Sequence, residues 1–157
     1  MHKRFFILLS ICLLTTIKIN CQPTSYSLSF ELGGVGGLGS FNLNKPFYSK
    51  KQWQLHWRAG FSLAPIDKNN GTTIVLPVLI HGQLGQSRHK LDIGVGQTFS
   101  ITTKGNYFIM LPISLGYLNA PATKKIWFRI AYTPIISYLI DRQYQHWGGL
   151  TIGYRLK

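Results

Sequence analysis

Hydrophobic and polar residues alternate along most of this chain, with the period of a strand rather than a helix. Over residues 53–63, Trp53, Leu55, Trp57, Ala59, Phe61 and Leu63 share one register, and Gln54, His56, Arg58, Gly60 and Ser62 share the other. This predicts a strand with one apolar face, about ten residues long, the length at which a tilted strand crosses the hydrocarbon of a bilayer. Similar segments occupy residues 26–43, 72–85, 90–102, 106–117, 126–136 and 147–156. The clearest is 106–117, where Tyr107, Ile109, Leu111, Ile113, Leu115 and Tyr117 stand opposite Met110, Pro112, Ser114 and Gly116. Beyond the N-terminal segment, no stretch has the pattern of an amphipathic helix.

Seven strands are readable, but a bacterial outer-membrane barrel has an even number. The first segment contains Gly33, Gly34, Gly36, Gly37 and Gly39, which predict either a bulge or a turn dividing it in two. The alternative source of an eighth strand is part of 135–146. Pro77 suggests a bulge or an edge within the third segment. Residues 45–52, 64–71, 86–89, 103–105, 118–125 and 137–146 are loops by composition. The expected fold is all-β: one antiparallel, up-and-down transmembrane β-barrel, with eight strands favoured.

The chain's start adds a compartment. His2, Lys3 and Arg4 precede an apolar stretch over residues 5–17, too short for a membrane helix and ordered like a secretory signal peptide. Residues 1–21 are therefore expected to be removed, leaving a barrel domain over 22–157. Lipidation of Cys21 would want a smaller neighbour than Asn20. Cys12 lies within the signal, so cleavage after Cys21 leaves no disulfide, zinc thiolate or cysteine nucleophile. The net charge of +13 falls to about +10 once Lys3, Arg4 and Lys18 are lost. For an exported chain that excess points to lipid phosphates or anionic glycans met by basic loops, not to nucleic acid.

Which face meets which solvent follows from the polar registers. They carry mostly Ser, Thr, Gly, Gln and Asn, and only 13% of the chain is charged, about half the share of a soluble domain. Small polar residues suit a narrow lumen and make a poor exterior. The charges on these registers, Glu31, Asp92, Arg58, Arg129 and Arg155, are expected to meet in the lumen as a structural ion-pair plug. Trp53, Trp57, Tyr107, Tyr117 and Tyr154 are expected to form aromatic girdles where the wall meets the membrane interfaces.

Signals for catalysis are weak. His56, His81, His89 and His146 lack metal-ligand spacing and have no acid close in sequence, and no nucleophile elbow, phosphate loop or calcium loop occurs. No cofactor or metal is expected. The favoured role is structural or surface-interacting, for a monomer with a largely plugged lumen. Three rivals remain open. A lipid-modifying enzyme would need a histidine within reach of Glu31, Asp92 or Asp141. A narrow anion pore would be lined by Arg58, Arg129 and Arg155, and a secreted lipocalin-like carrier would need charged outer faces.

The stretches ELGGVGGLGSFNLN (31–44), LPVLIHGQLGQSRHKLDIGVG (76–96), SLGYLNAP (114–121), WFRIAYTP (127–134) and WGGLTIGYRLK (147–157) occur in an order that spans nearly the whole mature chain. In these the chain resembles the small, uncharacterised outer-membrane β-barrel proteins of Bacteroidota, a porin-like family. The resemblance implies an outer-membrane barrel inserted by the barrel-assembly machinery and carries no catalytic residue. Two departures stand out: Leu156 and Lys157 follow Tyr154 where relatives end on an aromatic residue, and Leu43 and Asn44 replace the usual tyrosine and acid.

Overall fold

Eight antiparallel strands close into one barrel: β1 (Ser27–Gly33), β2 (Gly39–Lys50), β3 (Trp53–Asp67), β4 (Gly71–Leu84), β5 (His89–Thr102), β6 (Tyr107–Asn119), β7 (Ile126–Ser137) and β8 (Gln143–Arg155). This computed structural model describes residues 25–67, 71–137 and 143–156; the signal peptide expected over 1–21 and the acid Asp141 lie outside the described residues. Each strand pairs with its sequence neighbour, and β1 closes the ring on β8, from Ser27 opposite Arg155 to Gly33 opposite Gly149. The end where β1 begins and β8 finishes is the lower end below. No connection exceeds six residues.

The glycine-rich segment divides in two. Gly33, Gly34 and Gly37 have φ of 70°, 72° and 80°, a region that L side chains disfavour. The 3₁₀ turn they frame (Gly34–Gly36) folds into the upper mouth, approaching β3, β4, β7 and β8 as well as its own hairpin. Val35 at its tip is 2% exposed.

Three loops expected from composition are strand in large part: residues 64–67 continue β3, with Ala64 opposite Thr73 and Asp67 opposite Gly71. Residues 45–50 continue β2, with Lys45 opposite Trp57 and Ser49 opposite Gln54, and residues 143–146 begin β8, with His146 opposite Pro134. In all three places pairing satisfies backbone groups that composition alone would leave to water.

A closed barrel offers Pro77 no edge. Thr98 faces it across β5, while the ladder to β3 breaks between Ala59–Val78 and Ser62–Val75, where the missing N–H would have bonded. Pro112 sits at a similar break toward β5, and Pro134 at one toward β6.

Most strands turn polar side chains inward, although β4 also buries Val75 and Leu79, β6 Leu118, and β7 Trp127 and Ile135. Ser29, Glu31, Ser40, Asn42, Arg58, Ser62, Thr73, His81, Asp92, Thr98, Ser114, Arg129, Thr133 and Thr151 are buried, while Leu28, Phe41, Ile80, Val95, Leu115, Ile130, Leu150 and Ile152 are exposed on the outer wall. Glycines inside make room for large neighbours. Gly94 faces His81, and Gly153 faces Trp127; a Cβ on either would strike the opposing ring.

Candidate functional site

Glu31, near the top of β1, points inward because Phe30 and Leu32 on either side belong to the apolar wall. Its Oε2 accepts from Arg58 Nη2 of β3 at 2.8 Å, and its Oε1 accepts from Arg129 Nη1 of β7 at 3.2 Å and from Thr151 Oγ1 of β8 at 3.3 Å. Arg129 also donates from Nε to Asp92 Oδ1 of β5 at 2.7 Å and from Nη2 to the hydroxyl of Ser114 on β6. Asp92 is held further by His81 Nδ1 of β4 at 2.9 Å and by Gln83 Nε2 at 3.3 Å. Strands β1, β3, β4, β5, β6, β7 and β8 each contribute at least one of these groups.

No member of the central quartet of Glu31, Asp92, Arg58 and Arg129 is more than 4% exposed. Two carboxylates and two guanidiniums cancel in charge, and the arginines' planar forks reach several acceptors at once. Such a network braces opposite walls against each other across the lumen. It is not fully satisfied, since Arg58 Nε has no partner.

Arg155 stands apart from the quartet. It shares the inward register of β8, but its guanidinium caps the lower end, donating to the carbonyl oxygens of Pro121 at 2.8 Å, Lys124 at 3.2 Å and Ala120 at 3.3 Å. Trp53, Trp57, Tyr107, Tyr117 and Tyr154 all project outward. Trp53, Tyr117 and Tyr154 lie near the lower strand ends, Tyr107 at the upper one, and Trp57 deeper in the wall where it is half-buried.

His81 is the residue that sequence spacing did not single out. Eleven positions separate it from Asp92, but the β4–β5 hairpin pairs Gln83 with Asp92, placing both side chains on the inward register. Two inward-facing polar residues flanking the turn at residues 85–88 were the available signal. The acid orients His81 through Nδ1, as in a general-base dyad. Its Nε2 has no partner, so no hydroxyl stands where a nucleophile would be. No group of three or more His, Cys, Asp or Glu side chains able to hold a metal occurs among the described residues.

Below the network a polar cavity of about 510 Å³ lies at the lower end, lined among others by Gln54, His56, Gln83, Lys90, Trp127 and Arg155. Its inner lining includes Arg58, His81, Asp92 and Arg129. A second hollow, of about 700 Å³, is an apolar groove on the outer wall beside Leu28, Phe41, Leu43, Phe61 and Ile152 and offers no group for chemistry. Comparison with protein-family models, curated proteins and solved structures finds no match to this chain.

Proposed function

We propose that this small eight-stranded barrel resides in a bacterial outer membrane, reached through its signal peptide and inserted by the barrel-assembly machinery, and serves there as a monomeric, largely plugged structural element. The observation that carries this reading is the inverted distribution of polarity. The wall exposes Leu28, Val95, Leu115, Ile130 and Leu150, while ion pairs and hydroxyls fill the centre. Water would leave that wall as an apolar patch far larger than soluble monomers expose. A bilayer solvates it, and aromatic rings near both strand ends suit its interfaces.

The lower end has the features of a lipid-facing rim. Lys45 Nζ lies 4.9 Å from the Tyr26 ring centre and Lys125 Nζ 5.6 Å from that of Tyr154. Amine and ring together suit a headgroup region, with lipid phosphates as partners of the amines. Short connections at both ends leave little surface for a protein partner, which favours the structural role over surface interaction. The ordered likeness of the stretches from Glu31 to Lys157 to Bacteroidota outer-membrane barrels supports the same placement.

The test is physical. Mature protein refolded in detergent should migrate differently on gels before and after boiling and should precipitate when detergent is withdrawn. A protein that stays soluble and monomeric without detergent refutes the proposal.

A further inference from the structure

The charges at the centre of the barrel cancel, but those around the lower cavity do not. Lys90 Nζ, on β5, donates to Gln54 Oε1 at 3.2 Å. Arg155, on β8, donates to three main-chain carbonyls, and Arg88 at the rim donates to His89 Nε2 at 2.7 Å. None of these partners is a carboxylate. Lys90 and Arg155 line one cavity. Among the described side chains, the acids Glu31 and Asp92 are already committed to the quartet.

The acid in the cavity's described lining, Asp92, is already held by Arg129 and His81, so Lys90 and Arg155 raise the potential of the recess, and low-dielectric walls sharpen the effect. We propose that the lower cavity binds a small, multiply charged oxyanion of the phosphate or phosphate-ester class, held between Lys90 and Arg155. Three of the five guanidinium donors of Arg155 go to carbonyls, which fixes its plane and leaves two for ligand. Lys90 keeps two ammonium hydrogens beyond the one given to Gln54. Gln83 and Gln54 add neutral polar groups to the wall. The volume of about 510 Å³ lies within the usual range for small-ligand sites. Arg58, Asp92 and Arg129 of the quartet form the inner lining of the recess.

The experiment is a calorimetric titration of the mature protein with inorganic pyrophosphate in maltoside micelles, free of phosphate buffer and divalent cations. One saturable site is expected. Affinity should fall by about tenfold or more in the Lys90→Gln, Arg155→Gln double variant, and either single variant gives the same direction if the double does not fold. Lys104→Gln, at the upper end, should leave affinity unchanged, and the charge-preserving Lys90→Arg variant should bind. Absence of saturable heat, or equal weakening by Lys104→Gln, overturns the site. Titration in mixed micelles separates the sources of the ligand: added phosphatidylglycerol that competes identifies a lipid headgroup, and failure to compete identifies a free solute. Because the cavity lies inside the barrel, the titration can equally be run in plain buffer, so a soluble protein would defeat the membrane reading without touching this one.

Discussion

Arg58 Nη2 stands 2.8 Å from Glu31 Oε2, with the arginine side chain 3% exposed and the glutamate 0%. Glu31 is the only acid paired with Arg58 among the described residues. Removing one side of such a pair leaves a charge without water or counter-ion. Glu31→Gln should therefore destabilise the barrel by about 3–5 kcal/mol, seen as a lower temperature for the gel-mobility shift. Replacing both partners, as Glu31→Leu with Arg58→Met, should cost less than the single change. Equal losses would mean that the pair is not what the barrel depends on.

The upper-mouth turn rests on glycine at a particular point. Gly34 has φ of 72°, and a Cβ there would come within 2.8 Å of the Glu31 carboxyl carbon. Gly105 has a similar φ of 85° with nothing within 4 Å. Gly105→Ala should cost only the backbone strain of roughly 1–2 kcal/mol. Gly34→Ala should cost measurably more in urea unfolding, because it also displaces the turn or the acid beneath it. If the two variants unfold alike, the turn does not pack into the mouth.

Outer-wall substitutions distinguish the wall's solvent. Ile113 faces outward between Val95 on β5 and the β7 wall. In a bilayer Ile113→Arg should destabilise by about 2–4 kcal/mol, and Tyr107→Arg near the upper strand end by about 0–1 kcal/mol. In water, both would fall within about half a kcal/mol of the parent. Refolding equilibria in phospholipid vesicles provide the measurement.

Gly94 gives the His81 ring its place. A Cβ would come within 2.7 Å of Nδ1, the atom that meets Asp92. Gly94→Val should overpack the lumen and cost about 1–3 kcal/mol. Histidine ring resonances in NMR spectra of the micelle-bound protein should report the broken contact. An unmoved His81 resonance would show that the lumen has slack here.

Much of this arrangement is legible along the chain because the side-chain period of a strand is two. That period places Glu31, Arg58, Asp92 and Arg129 on polar registers and Leu28, Trp53, Val95 and Tyr107 on apolar ones before any fold is known. Strand ends were less legible. Residues 45–50, 64–67 and 143–146 look like loops by composition, and only a neighbouring ladder makes them strand.

By itself, the sequence determined the all-β class, the apolar wall, the polar interior and the shortage of acids, since each depends on residue type and alternation alone. Tertiary structure decided who meets whom. Closing β1 onto β8 brought Glu31 to Thr151 and Arg129, and the β4–β5 register set His81 beside Asp92. It also drew Arg155 away from the quartet to loop carbonyls, leaving it on the lining of the lower cavity with Lys90. Alternation says which side of a wall a residue faces. Its height and its partner across the lumen depend on the stagger between strands, which only the closed barrel fixes.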